Sequence, residues 1–66
     1  MTKKRINNSI KFYRVNAGLR QVDLAKKIGV GVNAIVSWER FEKVPQYRNI
    51  VKLAELFGVN PEDIMK

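Results

Sequence analysis

The side chains that could do chemistry in this 66-residue chain are amides, hydroxyls and charged groups, because the sequence contains no cysteine and no histidine. The missing cysteines exclude disulfides, thiolate zinc sites and cysteine nucleophiles. The missing histidines remove the commonest general base and metal ligand. Acid–base work would fall to Asp and Glu alone, and no two acids are placed as a site. We therefore expect no enzyme, no metal and no cofactor, and binding through charge and hydrogen bonds instead.

Positive charge is the strongest signal in the composition. Thirteen Lys and Arg residues stand against six Asp and Glu, which gives a formal net charge of +7. The excess lies almost wholly in residues 1–20, which carry six cations and no acid. Because like charges repel in a compact chain, such a surplus indicates a polyanionic partner, either nucleic acid or an anionic membrane.

Neither membrane insertion nor export is predicted. The longest strictly apolar run is three residues, 34–36, whereas roughly 20 are needed to span a bilayer. No apolar block follows the basic N-terminus, so the start of the chain is not a signal peptide. We expect a cytoplasmic protein without a membrane partner.

Glycine and proline divide the chain into five segments whose apolar residues follow helical spacing. In the fourth segment, for example, Ile50, Leu53 and Phe57 fall on one helical face, and in the first Ala17 extends the apolar stripe of Ile10. The predicted fold class is all-α, a compact bundle of five short helices. The predicted helices cover residues 8–17, 21–28, 32–40, 47–57 and 61–65.

The second and third segments have the plan of a helix-turn-helix, two helices of about eight residues joined by a turn that opens on Gly29. Glycine can adopt the positive φ of such a turn, and Val30 is apolar, as a residue that plugs the turn into the core must be. Small Ala25 suits the close crossing of the two helices, while Ile35 and Trp38 anchor the second helix from below. The opposite face of that helix presents short, uncharged side chains that suit a groove. They are Val32, Asn33, Val36 and Ser37.

Further positions extend this pattern along the chain, which reads Lys11-x-x-Arg14, Gly18-Leu19-x-Gln21-x-x-Leu24-Ala25-x-x-Ile28-Gly29-Val30, Ile35-x-x-Trp38-Glu39-Arg40, Pro45 and Leu53-Ala54-x-x-Phe57-Gly58-Val59. With these positions the sequence resembles the Cro/lambda-repressor-like helix-turn-helix family over roughly residues 6–65. The resemblance implies a five-helix DNA-binding domain that is usually dimeric and binds a two-fold operator, with its recognition helix in the major groove.

The resemblance also implies roles for individual residues. Arg14 and Glu39 correspond to an ion pair that bridges the first and third helices. Base contacts fall on Gln21, for which a phosphate is the alternative partner, and on Val32, Asn33, Val36 and Ser37. Phosphate contacts fall on Arg20, Arg40 and Lys43, and on Lys3, Lys4 and Arg5 of a basic arm, residues 1–6, for which a mere solubility tail is the alternative.

The expected reading of bases follows from side-chain chemistry. Asn33 can pair with adenine through two hydrogen bonds, and Val32 and Val36 can touch thymine methyl groups, which predicts an A·T-rich half-site. The alternative is an asparagine that caps its own helix and valines that pack against a neighbour.

Two positions depart from the family pattern. Gly31 stands where the family prefers a Ser or Thr N-cap, which weakens the start of the recognition helix by about 1 kcal/mol or less. Phe41 stands where a glycine commonly ends that helix. Since a phenylalanine at positive φ is strained, we expect the helix to continue or the loop to fold differently. Apolar Phe41, Val44 and Pro45 lie near a loop that the family often uses for dimerisation, and they are the candidate dimer interface.

We expect residues 1–66 to form one DNA-binding domain of a bacterial or phage-encoded transcriptional regulator, most simply a repressor. It would bind double-stranded DNA sequence-specifically as a homodimer, without a small-molecule ligand. The alternative is a protein-interaction module, or a partner-dependent antitoxin, in which DNA binding is secondary. A membrane-active cationic helix is disfavoured by the dispersed glycines and by the tryptophan in the predicted core.

Overall fold

Five α-helices follow one another in the computed structural model, which describes residues 8–65. Each observed helix agrees with the predicted one to within one residue at either end. No strand occurs in this described range, so the predicted all-α fold is confirmed. The helices are α1 (Ser9–Asn16), α2 (Gln21–Ile28), α3 (Val32–Glu39), α4 (Tyr47–Phe57) and α5 (Pro61–Ile64).

One apolar core receives side chains from all five helices. Leu24, Ile35 and Leu53, from α2, α3 and α4, are fully buried, and full burial of such a side chain contributes about 1.5–3 kcal/mol. Trp38 is also buried, as predicted, and therefore anchors α3 instead of offering a stacking surface. The complete buried apolar set is Ile10, Leu24, Ala25, Ile28, Ile35, Trp38, Ile50, Leu53, Ala54 and Ile64.

The turn between α2 and α3 has the predicted construction. Gly29 adopts a φ of 76°, Val30 is half-buried against the core, and small Ala25 is buried. Lys52 of α4 donates from Nζ to the carbonyl oxygen of Ile28 at 3.4 Å and so binds the end of α2. Ala17, by contrast, is exposed: α1 ends at Asn16, and Ala17 is its C-cap rather than part of the apolar stripe.

Phe41 corrects the expectation for the end of α3. The helix does not continue, since α3 ends at Glu39. The loop does not avoid the strained conformation either, because Phe41 adopts a φ of 61°. Its N–H donates to the carbonyl oxygen of Trp38 at 3.2 Å, and the N–H of Glu42 donates to that of Ser37 at 2.9 Å. These two bonds are the Schellman pattern, which normally has glycine at this position. The helix end thus keeps the glycine geometry without the glycine, at a cost of about 1–2 kcal/mol.

Polar side-chain contacts fix the starts of α1 and α5. Ser9 Oγ donates to the carbonyl oxygen of Ile64 at 2.7 Å, which joins the start of α1 to α5. At the start of α5 the N–H of the N-cap residue Asn60 donates to the Asp63 carboxylate at 3.1 Å. Across residues 8–65, no helix has the length and apolar character that a membrane span requires.

Candidate nucleic-acid interface

The outer face of α3 carries four of the residues predicted to contact bases. Val32 is 39% exposed and Asn33 is exposed, whereas Val36 and Ser37 are half-buried. Within residues 8–65 the Asn33 side chain makes no hydrogen bond, so its amide offers both a donor and an acceptor to a partner. The N-cap Gly31 supplies no side-chain bond to the helix start. The exposed face is therefore uncharged, short and concentrated in the first turn of α3.

Gln21, the fifth predicted base contact, is half-buried at the first position of α2. Its Nε2 donates to Glu39 Oε1 at 3.1 Å, which places it beside the last residue of α3. The structure therefore brings Gln21 close to the predicted ion pair, an arrangement that the sequence did not indicate.

Arg14 and Glu39 are in direct contact, with side chains only 11% and 5% exposed. Arg14 donates from Nε to Glu39 Oε2 at 2.6 Å and from Nη2 to Oε1 at 3.0 Å. Its Nη1 donates to the carbonyl oxygen of Leu19 at 2.9 Å. The hydrogen bonds to Glu39 raise the pKa of Arg14 above its usual value. This bidentate pair holds α1, the turn before α2 and the end of α3 in one arrangement.

Arg20, a predicted phosphate contact, is bound within the chain. It donates from Nε to Asp23 Oδ2 at 2.9 Å and from Nη2 to Oδ1 at 3.0 Å, and its backbone N–H also donates to Oδ2 at 2.9 Å. These bonds lower the pKa of Asp23 to about 2. The Arg20 side chain is nevertheless 79% exposed, so a phosphate can reach it while it competes with Asp23.

The remaining predicted phosphate contacts lie just beyond α3. Arg40 and Lys43 are exposed. Arg40 Nη1 lies 4.0 Å from Glu42 Oε2, and both side chains of this ion pair are exposed. Such pairs contribute little and leave the cation available. The basic arm with Lys3, Lys4 and Arg5 lies outside the described residues.

The predicted dimer residues border an apolar hollow of about 110 Å³ between the α3–α4 loop, α1 and α5. Phe41 is 68% exposed and Val44 is 82% exposed, while Pro45 is half-buried. Met65, which the sequence did not single out, is 62% exposed at the same hollow. Buried Trp38 lies beneath. The structure thus brings the three predicted residues together and adds a fourth.

Sequence reasoning offered Asn7 or Asn8 as the N-cap of α1, and Asn8 is the N-cap, but it missed the role of Asp23 and the tertiary contact of Asn8. The spacing of Arg20 and Asp23, three residues apart at a helix start, is that of a capping box and is visible in the sequence. Asn8 donates from Nδ2 to the carbonyl oxygen of Trp38 at 2.7 Å, and no local pattern indicates a contact across 30 positions.

Comparison with known proteins identifies the fold and the family. The helix-turn-helix family model matches residues 10–64. An uncharacterised HTH-type transcriptional regulator of Methanocaldococcus jannaschii is 41% identical over 59 residues, which cover 89% of each chain. The cryptic phage CTXphi transcriptional repressor RstR of Vibrio cholerae is 34% identical over 53 residues, which are 80% of this chain and 48% of that repressor.

Solved structures of the P22 c2 repressor have the same fold. One is a crystal structure with a synthetic operator; it superposes with a TM-score of 0.82 at 29% identity and covers 94% of each chain. The other is the nuclear magnetic resonance structure of the DNA-binding domain, with a TM-score of 0.80 at 30% identity, covering 100% of this chain and 87% of that one. The chain therefore belongs to the Cro/lambda-repressor-like family of helix-turn-helix DNA-binding domains.

Proposed function

We propose that the protein is a transcriptional repressor that binds double-stranded DNA sequence-specifically, as a homodimer on a two-fold operator. It would act in the cytoplasm, as a binding protein and not as an enzyme. Helix α3 enters the major groove, and its outer face reads the bases. The P22 c2 repressor, which is similar to this chain, binds an operator in its crystal structure, and the phage relative is a repressor by name.

The observation that carries the proposal is a contrast in charge between the outer face of α3 and the residues that flank the helix-turn-helix. Its outer face is uncharged, and its inner side chains Ile35 and Trp38 are buried in the core. Exposed Arg20, Arg40 and Lys43 lie just before α2 and just after α3. In this arrangement cations bind the phosphates and fix the register, while the helix between them reads base edges.

Base reading is assigned to residues of the first turns of α3. Asn33 offers the donor and acceptor that adenine requires, and Val32 supplies an apolar contact for a thymine methyl group. Val36 and Ser37 are assigned to the edge of the same contact, since they are half-buried. Gln21 reaches DNA from the start of α2.

The hollow beside Phe41 supports the dimer. Exposed Phe41, Val44 and Met65 surround buried Trp38 and Ile64, and an apolar surface of this kind is typical of an interface core. The domain measures 36 × 23 × 23 Å. On a two-fold operator whose half-sites lie one helical turn apart, the α3 helices of the two copies would have to lie about 34 Å apart.

DNA binding is tested by fluorescence anisotropy with random duplexes at increasing salt, followed by selection of preferred sites. We expect the logarithm of the binding constant to fall linearly with the logarithm of the salt concentration, with a slope of about −0.9 per phosphate contact. We also expect the selected site to have two-fold symmetry. Lys43→Ala should bind all duplexes more weakly, whereas the matched control Lys27→Ala, at the far end of α2, should bind like the wild type. Failure to bind any duplex at low salt contradicts the proposal.

Dimerisation is tested by sedimentation equilibrium of Val44→Glu, which places a charge at a site that is 82% exposed in the monomer. We expect this variant to fold normally, to remain monomeric and to bind the operator more weakly. Val15→Glu on α1, at a site that is 56% exposed, is the control and should associate like the wild type. A Val44→Glu protein that still dimerises rules out this interface.

A further inference from the structure

The Glu39 carboxylate binds more than its ion-pair partner. Its two oxygens accept three hydrogen bonds, two from Arg14 and one from Gln21 Nε2. The side chain is only 5% exposed, so water competes weakly for these bonds. Glu39 is the last residue of α3 and Gln21 the first of α2, so one carboxylate connects the two elements of the helix-turn-helix.

This contact dictates how the Gln21 amide is turned. An ionised carboxylate only accepts hydrogen bonds, so the NH₂ group must face Glu39 and the carbonyl oxygen must face away from it. Arg14 donates to both oxygens of the same carboxylate, and Oε1 accepts the bond from Gln21 in addition. One Nε2–H is thereby occupied, and the second Nε2–H and Oε1 remain for an external partner.

We infer that Glu39 is a positioning residue that acts through Gln21 by presenting the second Nε2–H to a hydrogen-bond acceptor on DNA. The inference rests on the proposed DNA binding. That acceptor is a phosphate oxygen or a purine N7 on a base edge, both of which require a donor. Without the carboxylate, the Gln21 amide rotates freely and can turn its carbonyl oxygen towards the DNA, where it repels either acceptor.

The test is a double-mutant cycle of Gln21→Ala and Glu39→Gln, measured as operator affinity by anisotropy at a temperature well below the melting point of each variant. Each single variant should weaken binding about 5-fold, the loss expected for one hydrogen bond. Glu39→Gln should cause no further loss in the Gln21→Ala background, because the positioned group is then absent. Additive losses, or a Gln21→Ala protein that binds like the wild type, overturn the inference.

A purely structural role for Glu39 is tested by Arg14→Lys, which weakens the same ion pair but leaves the carboxylate beside Gln21. This variant should melt at a lower temperature yet bind the operator within about 2-fold of the wild type. An Arg14→Lys protein whose affinity falls as far as that of Glu39→Gln also overturns the inference.

Two further readouts complete the design. Operators substituted at each base pair distinguish the acceptors: Gln21→Ala weakens all sites equally if its partner is a phosphate, and loses preference at one base pair if its partner is N7. A wild-type protein that binds no duplex contradicts the proposed function itself, whereas binding with additive losses contradicts only the role of Glu39.

Discussion

Asn8 and Trp38 are joined by a buried hydrogen bond of 2.7 Å, from Asn8 Nδ2 to the carbonyl oxygen of Trp38. The same side chain caps α1, because Asn8 Oδ1 accepts from the N–H of Lys11 at 3.1 Å. One buried amide therefore accepts from a backbone N–H that has no partner within α1, and it also holds the start of α1 against the last turn of α3.

This double role predicts an unusual result for Asn8→Asp. Aspartate is as good an N-cap as asparagine, but it has no N–H for Trp38 and brings a second acceptor against a carbonyl oxygen. We expect Asn8→Asp to unfold about 1–3 kcal/mol more easily than the wild type, as measured by urea denaturation followed by circular dichroism. Asn8→Ala loses both bonds and should be destabilised as well. A fully stable Asn8→Asp protein would show that only the cap matters.

The sequence predicted the helices well because their signals are local. The glycines and prolines between the segments and the apolar spacing in α4 each act within a few residues, and the observed helix ends agree with the predicted ends to within one residue. The Arg14–Glu39 pair was predicted from the family resemblance. No local pattern indicates it, because its two residues lie 25 positions apart.

Contacts that depend on packing were not predictable in this way. Gln21 meets Glu39, and Asn8 meets Trp38, only after three helices have packed. At Phe41 the local preference against positive φ gave the wrong result, because two backbone hydrogen bonds and the course of the chain into α4 outweigh it. Local energy thus decides where helices lie here, and tertiary packing decides which polar groups meet at the site.

The strain at Phe41 predicts that glycine is better tolerated there than alanine. Both substitutions remove the exposed ring, but only glycine adopts a φ of 61° freely. At low protein concentration, Phe41→Gly should be more stable than Phe41→Ala by about 1 kcal/mol. Both should associate more weakly than the wild type in sedimentation experiments. Equal stability of the two variants would mean that the backbone relaxes at this position.

The Arg20–Asp23 pair predicts a pH dependence of stability. The folded pKa of Asp23, about 2, lies below its ordinary value of 3.8, so the unfolded chain binds the proton more tightly. The stabilisation is complete above about pH 3.8 and is lost as the pH falls through 2. The melting temperature of Asp23→Asn should lie below that of the wild type at pH 5, and the gap should narrow as the pH falls towards 2 and close below it. Because the pair is exposed, high salt should narrow the gap as well.

The same carboxylate should restrain DNA binding. Asp23 occupies the guanidinium of Arg20, and a phosphate must compete with it. Asp23→Asn should therefore bind random duplexes more tightly at low salt. The slope of log binding constant against log salt concentration should steepen by about 0.9, the value for one added phosphate contact. Arg20→Ala/Asp23→Asn is the control, and it should lose this gain. An unchanged slope would show that Arg20 does not contact the backbone.

Asn33 and Lys43 should separate sequence reading from phosphate binding. Asn33 is exposed on the outer face of α3 without a hydrogen-bond partner among residues 8–65, so its amide is available to the base that we propose as its partner. Asn33→Ala should cost about 1–3 kcal/mol at one base pair of the selected operator and little at the others. Lys43→Ala should weaken binding to all duplexes alike and reduce the salt slope by about 1. Both are measured by anisotropy on a panel of operators with single base-pair substitutions. If Asn33→Ala keeps the base preference of the wild type, the assignment of Asn33 is wrong, and other residues on the outer face of α3 must explain the specificity.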